Sequence, residues 1–320
     1  MLPEVVFDDD DPSSRLEWLR THVADLAVVP LPGGGATAAR FSMLSALGRA
    51  DGSLGRLGEG HLDALAIRSE LGAPPGDPDQ LWGVWAAHPN HLEAERHGTG
   101  WRLCGRKPWC SGATGLDRAL VTATGVDRRA RLFDVEVAAL DFDDDWRPVG
   151  MRASDSRSAR IDLVVAADAE VGAPGCYVDR PGFGHGGVGV AAVWHGIAQH
   201  LTHDLAVAAA AAPEQPYLRA AAGRAAAISY VAAAALRMAA DEIDAGPDDT
   251  DAAHRRAPLV RVGVEHAARS VLDLSVRAQG ASALCFDETH ARAVVDLTVY
   301  LGQVHDGFDA AGISLDGHSC

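Results

Sequence analysis

"GRKPWCSG", Gly105 to Gly112, sets a Trp, a Cys and a Ser among turn-forming residues, between two strand-like runs. A turn needs only Gly and Pro. An indole two residues from a hydroxyl, at the end of a strand, offers a flat apolar wall and a hydrogen-bonding partner, the pair that a flat ligand needs. The plain alternative is a Trp that fills the core of a β unit. The neighbouring runs support such a unit: "GWRLCG" before, "RALVTATG" after, and further out "LWGVWAA", "ARLFDVEVAAL" and "ARIDLVVAA". They are short, partly alternating and separated by clusters of Gly, Pro and Asp. That spacing predicts an antiparallel sandwich or barrel over residues 81–180. Within it, "DFDDDW" (Asp141 to Trp146) lacks the Gly and the distal Glu of a calcium loop and reads as a solvated turn.

On either side of this unit the periodicity becomes helical. Residues 1–80 form an expected N-terminal helical domain: "SRLEWLRTHV" has Leu16, Leu19 and Val23 at helical spacing, and "ATAARFSMLSALGRA" and "HLDALAIRSELG" resume the pattern after a break at Pro30–Gly35. "APPGDP" (Ala73 to Pro78) closes the domain as a linker. Residues 181–320 are Ala-rich and read as a four-helix bundle, with helices over 186–212, 214–245, 250–279 and 287–309. In the last of these, Val294, Leu297, Leu301, Val304 and Phe308 alternate spacings of three and four and make one apolar stripe. Asp287 or Thr289 can cap it. The fold class is therefore α+β: helices, then a central antiparallel β-barrel or sandwich, then a helical bundle.

Composition narrows the function. Acids outnumber Lys plus Arg by 44 to 28, and a net charge of -16 repels phosphate backbones and anionic bilayers, so neither nucleic acid nor membrane is an expected partner. The N-terminus lacks the basic start and apolar run of a signal peptide, and no apolar stretch approaches the ~20 residues of a membrane span. Five scattered cysteines without a CxxC pair fit a reduced, cytoplasmic setting.

The order of elements and several local motifs resemble the acyl-CoA dehydrogenase superfamily, from about Pro30 to the end of the chain. "GTGWRLCGRKPWCSGATGLDRALVTAT" is similar to the family's β-domain signature, where G-W-x-L-x-G-x-K leads into W-x-[ST]. "LPGGGATAARFSMLSALGRADGSLGRL" looks like its N-terminal helices, "RPGFGHGGVGVAAVWHGIA" like the lead-in to its bundle, and "DLSVRAQGASALCFDETHARAVVDLTVYLGQVHDGFD" like its last two helices. The resemblance implies FAD, or alternatively FMN, between barrel and bundle. Trp109, Ser111 and Gly112 would stand on the barrel side, with the hydroxyl towards the flavin N5, and Gln279 and Gly280 near the bundle. It also implies a homodimer or homotetramer, or a heteromer with a related chain, acting on an acyl thioester or a small-molecule intermediate of specialised metabolism.

Three departures from the family pattern shape the expected chemistry. Ala87 stands where a hydroxyl residue usually precedes a Pro, here Pro89. The bundle's Arg-x-x-Phe-Gly segment is replaced by "AAAAAAPEQPYLRAAAGR", with Arg219 or Arg224 as the remaining charge. The usual catalytic Glu falls at about Val304, which cannot take a proton. Acyl-CoA dehydrogenation needs a carboxylate for the α-proton, and losing a general base costs ~10²–10⁴-fold. Glu265 and Glu242, on earlier bundle helices, are the substitutes, Glu265 the better for its apolar neighbours.

The leading expectation is a flavin-dependent oxidoreductase. One alternative is a reduced-flavin-dependent monooxygenase of the same fold, in which His305, followed by Asp306, moves a proton near neutral pH. Another is a non-catalytic subunit of a heteromer. No metal is expected. His200, His203 and Asp204 share a helix face but lack further ligands, and the glycines of "GFGHGGVGV" follow no Rossmann strand.

Overall fold

The computed structural model describes residues 5–7, 9–74, 76–87, 91–303 and 313. Four helices open the chain: α1 (Pro12–Thr21), α2 (Val23–Ala27), α3 (Thr37–Ala50) and α4 (Gly52–Glu70). Local chemistry sets their starts. Asp11 accepts from Ser13 N–H at the head of α1, and Asp51 accepts from Leu54 N–H at the head of α4, each satisfying a donor the helix itself cannot.

Seven strands follow: β1 (Trp82–Trp85), β2 (His91–His97), β3 (Gly100–Cys110), β4 (Arg118–Gly125), β5 (Ala130–Glu136), β6 (Asp141–Phe142) and β7 (Arg157–Val165). They form one sheet in the order β1-β4-β2-β3-β7-β6, with β5 on the far edge of β4. Most pairings are antiparallel, but β1 and β2 both run parallel to β4. β1 pairs with the first half of β4 (Trp82↔Arg118) and β2 with its end (Glu93↔Thr124). The two short strands therefore lie one after the other along the same side of β4. The acidic run after β6 is ion-paired: Asp143 and Asp145 with Arg106, and Asp144 with Arg147.

After the short helix α5 (Cys176–Asp179) come the bundle helices α6 (Pro181–Ala211), α7 (Pro216–Ala245), α8 (Thr250–Phe286) and α9 (Glu288–Leu301). Pro181 and Pro216 sit in the first turns of α6 and α7, where their missing N–H costs nothing. Asp287 is the cap of α9, accepting from His290 N–H at 3.0 Å. Val294, Leu297 and Leu301 of the stripe are buried, while Val304 and Phe308 lie outside the described residues. Gly280 has φ 69 and ψ -166, which breaks α8 at the end of its expected 250–279 span.

One hydrophobic core runs through all three segments, from Leu19 and Leu54 through Trp85, Leu103 and Ile161 to Trp194, Val264 and Leu297. Burial of a side chain of this size contributes about 1.5–3 kcal/mol. Glycines let the segments meet closely. A Cβ on Gly196 of α6 would fall 2.1 Å from the Ser45 carbonyl oxygen of α3, and one on Gly184 would fall 2.7 Å from the Ala253 carbonyl oxygen of α8. The glycines of "GFGHGGVGV" thus serve helix packing. Among the described residues no helix is long and apolar enough to cross a membrane.

Candidate functional site

The end of β3 is irregular where the sequence placed its Trp. The β3–β7 register runs to Lys107↔Ala159 and resumes at Cys110↔Arg157, so Pro108 and Trp109 oppose Ser158 alone. This bulge turns the Trp109 side chain out of the alternation. Its backbone is left-handed, φ 64, a conformation a bulky residue adopts only when its surroundings impose it. The indole is 53% exposed, so it does not fill the core; Trp82, Trp85 and Trp101 do that. Trp146 meets it edge-on, 6.0 Å between centroids, and is itself tied by Nε1 to the Arg152 carbonyl at 3.1 Å.

The loop after β3 docks onto a second strained segment. Gly112 N–H donates to the Ser154 carbonyl at 2.8 Å, and Ala113 N–H to the Asp155 carbonyl at 3.2 Å. The Thr114 amide and hydroxyl donate to Asp155 Oδ2 at 3.1 and 2.6 Å. Met151 (φ 59) and Asp155 (φ 42) are also left-handed, so three of the four described non-glycine residues of positive φ gather here. Cys110 is fully buried, and burial pushes its thiol up to about 12, which leaves it inert as a nucleophile.

Ser111 is buried at the centre of this arrangement. Its Oγ is 2.8 Å from Ser156 Oγ, and Ser156 Oγ is 2.8 Å from Ser154 Oγ. Ser154 donates onward to the Met151 carbonyl, also at 2.8 Å. From the other side, Arg56 Nε of α4 donates to Ser111 Oγ at 3.3 Å. The Ser111 carbonyl is held by Trp85 Nε1 at 3.0 Å.

Arg56 joins the loop to the helices. It is ion-paired with Glu59 one turn along α4, and Tyr300 of α9 stands beside it. Burial opposes the Arg56 charge, but Glu59 and Tyr300 hold the guanidinium firmly protonated. Burial pushes the Glu59 carboxyl above the usual range, against the pull of Arg56. The Tyr300 hydroxyl is buried beside Arg56 without a well-aligned hydrogen bond, and the Trp194 indole N–H, on the ring edge-on to Tyr300, has no partner among the described residues. A small recess, with room for about one water molecule, lies between Arg56, Ser111, Trp82, Val84 and Leu116. The recess is lined by one guanidinium and one hydroxyl among apolar side chains, and the Trp109 indole does not line it.

The structure brings Trp109, Ser111 and Gly112 together, although the Gly112 amide is already bonded to Ser154. It places the other expected residues elsewhere. Gln279 donates to Ser275 Oγ at 3.1 Å and faces His290, and Gly280 is the break in α8. Glu265 is buried and ion-paired with Arg269, whose second nitrogen reaches the Leu301 carbonyl at 3.5 Å. The Ala87 carbonyl accepts from the buried Lys107 Nζ at 3.2 Å. His305, Asp306, Val304 and Pro89 lie outside the described residues. Asp204 and His200 lie beside His290, 3.0 Å from Asp204, within the bundle.

Arg56, Glu59, Tyr300, Ser154 and Ser156 were not among the expected site residues. "GRLGEG" does carry a signal for the first two: an Arg and a Glu three apart in a helical stretch whose other residues are Gly and Leu. The others are linked to Ser111 only by tertiary contact.

The chain has an acyl-CoA dehydrogenase-type fold: N-terminal helices, a β unit and a helical bundle in that order. Solved structures that share it include three flavin- or oxygen-handling proteins. TdsC, a dibenzothiophene monooxygenase from Paenibacillus sp. A11-2 solved with FMN and indole, is 19% identical, with 95% of this chain and 89% of that one covered at a TM-score of 0.78. XiaF from Streptomyces sp., solved with FADH2 and glycerol, is 16% identical over 98% of this chain and 91% of that one, at 0.75. The HsaA monooxygenase from M. tuberculosis is 15% identical over 94% and 97%, at 0.72. At these identities the likeness is one of fold. No protein-family model matches the chain, and no curated protein matches it in sequence.

Proposed function

We propose that the chain is a flavin-dependent monooxygenase that takes its flavin reduced, FMN or FAD, and oxygenates a small organic molecule. The observation that carries this reading is Trp109: a half-exposed indole in a strained backbone conformation, beside Ser111, on a fold whose solved examples include a monooxygenase with FMN and a protein with FADH2. Strain persists where the surroundings over-determine it, and a binding surface is the ordinary reason. Trp109 would form the wall for the ring and Ser111 the partner of its N5 edge, with Arg56 holding Ser111 in place. A reduced flavin supplies the reaction with oxygen; the chain's part is to orient the ring, bind the substrate and keep water out.

Dehydrogenation of an acyl thioester is the weaker reading. It needs a carboxylate ready to take an α-proton. The buried Glu59 and Glu265 are both committed to arginines. His305 and Asp306 are the residues assigned to proton movement, on the strength of the sequence resemblance. A soluble oligomer in the cytoplasm belongs to the same proposal, with the exposed Tyr217, Tyr230, Val231 and Met238 of α7 as surface for assembly to cover.

The test is an anaerobic titration of the purified chain with FMN and FAD, each oxidised and reduced, followed by oxygen uptake with reduced flavin and candidate aromatic substrates. Binding of the reduced form and substrate-dependent product carrying one atom of labelled oxygen are expected. Failure to bind either flavin in either state overturns the reading for the chain alone. Binding that appears only on co-expression with a related chain would favour the heteromeric subunit.

A further inference from the structure

From Gly52 to Arg68, α4 is buried except at Arg56, Asp63 and Leu65. Leu65 lies on the opposite side of the helix. Arg56 and Asp63 share one face, two turns and about 10 Å apart along the axis. On α6, Gly186 and Val190 are half-buried one turn apart, and Gly186 faces Asp63: a Cβ there would fall 2.7 Å from Asp63 Oδ1. The seam between α4 and α6 therefore opens towards solvent at Asp63, and Glu59 and Arg56 lie further in. A phenol stands near each end: Tyr177 of α5 within electrostatic reach of Asp63 and Glu59, Tyr300 of α9 within reach of Glu59 and Arg56. Burial, then Asp63, push the Tyr177 hydroxyl up, so it stays a neutral phenol.

The seam is short of donors. α4 carries three acids. Glu59 is paired with Arg56, and Glu70 with Arg180 and with the Gly182 N–H at 3.0 Å. Asp63 has no hydrogen bond and no ion pair among the described residues. Arg40 of α3 acts on it only from beyond contact, with its own guanidinium 3.3 Å from the Pro30 carbonyl. A carboxylate drawn partly out of water without a donor is unfavourable, and its oxygens can only accept. At the inner end the Tyr300 hydroxyl is buried beside Arg56 without a well-aligned hydrogen bond. We propose that Asp63 is the recognition residue of a substrate subsite on this seam and takes a protonated amine of the substrate. An ammonium supplies the donors and the charge that Asp63 lacks, and the aromatic rings beside it suit an apolar body. The proposal rests on the reading of the chain as an enzyme for a small organic molecule, and names a feature of that molecule.

Calorimetric titration of the full chain, without flavin, with phenethylamine, phenethyl alcohol and hydrocinnamate tests this. The three share a ring and a short chain, and end in a charged donor, a neutral donor and a charged acceptor. The amine is expected to bind about tenfold more tightly than the alcohol, since a charge-assisted hydrogen bond is roughly twice as strong as a neutral one, and the carboxylate most weakly. Asp63→Asn keeps an accepting oxygen and removes the charge. It should weaken the amine by about tenfold and leave the alcohol nearly unchanged. Gly186→Ala, whose methyl would displace the carboxylate, gives a second route to the same loss should Asp63→Asn fail to fold. Equal affinities for amine and alcohol, a preference that survives in Asp63→Asn, or no measurable binding of the amine at millimolar concentration overturns the inference, whatever the flavin titration shows. An amine preference in a chain that binds neither flavin keeps the subsite and removes the monooxygenase reading.

Discussion

Trp109 stands edge-on to Trp146, their planes 84° apart and their centroids 6.0 Å apart, while its own backbone sits at φ 64. One ring is braced and the other braces it, and the bulge at Pro108–Trp109 puts the pair on the surface. A residue kept strained and half-exposed contributes little to folding and much to whatever meets its face. Trp109→Gly removes both strain and indole. It should raise the melting temperature, or leave it unchanged, through relief of about 1–2 kcal/mol. It should also weaken flavin binding tenfold or more. Trp109→Phe should bind nearly as well as the parent. Flavin titration beside a thermal melt checks both, and a large loss of stability with binding intact would show the indole to be structural.

The order of helices, β unit and bundle was legible because periodicity is local. The Leu16-Leu19-Val23 and Val294-Leu297-Leu301 spacings and the strand runs each announce themselves within a dozen residues. β2 was missed because His91–His97 offers only Leu92 and Ala94 as buried apolar residues among charges. The parallel pairing of β1 and β2 with β4 has no local signature either, since it depends on which edge a distant strand reaches. The site divides the same way. Trp109 and Ser111 lie in one motif. Ser156 is 45 residues from Ser111 and Arg56 is 55, so only the folded chain shows that they share one hydroxyl.

The α3–α6 crossing sets how the N-terminal helices meet the bundle. A Cβ on Gly196 would meet the Ser45 carbonyl oxygen at 2.1 Å and the Arg49 nitrogen at 2.9 Å. All are backbone atoms, so no side chain can turn aside and the helices must part. Gly196→Ala should destabilise by about 1–3 kcal/mol or more. Gly223→Ala on α7, where a Cβ meets nothing within 4 Å, should instead stabilise by about 0.5–1 kcal/mol. Urea midpoints of the two variants should move in opposite directions; a shared direction would refute the close-crossing account.

Asp296 ties α9 to the segment beside the site by accepting from Met151 N–H at 2.5 Å. Burial pushes its carboxyl up to about 7, Asp51 and Asp10 push the same way, and the Met151 amide and Arg292 pull back. A carboxyl raised in the folded state favours folding while it is protonated. That contribution is complete below about 4, the unfolded value, and is lost as pH rises through about 7. Asp296→Asn keeps the oxygen that accepts from Met151 and has no charge to bury. The variant should match the parent near pH 4 and exceed it at pH 8 by an amount on the order of 2–4 kcal/mol. Denaturant unfolding across that range checks the sign, and a difference independent of pH would rule the titration out.

Arg56 and Glu59 share one buried ion pair that also steadies Ser111. Taking two charges out of water is costly, and the attraction between them offsets that cost only while both are present. Glu59→Leu would leave Arg56 charged and largely buried without its partner, would also remove the carboxylate that acts on the buried Arg40, and should cost about 3–5 kcal/mol. Arg56→Met should cost somewhat less, because Arg40 still acts on Glu59. The double variant removes both desolvated charges and should recover much of the loss, giving a coupling of about 1–3 kcal/mol in a double-mutant cycle. It should nevertheless loosen Ser111, whose oxygen loses the Arg56 donor. The decisive comparison is therefore stability recovered against flavin binding not recovered. Simple additivity of the two single losses would mean that the pair is not coupled, and recovery of both properties would mean that Arg56 has no part in holding Ser111.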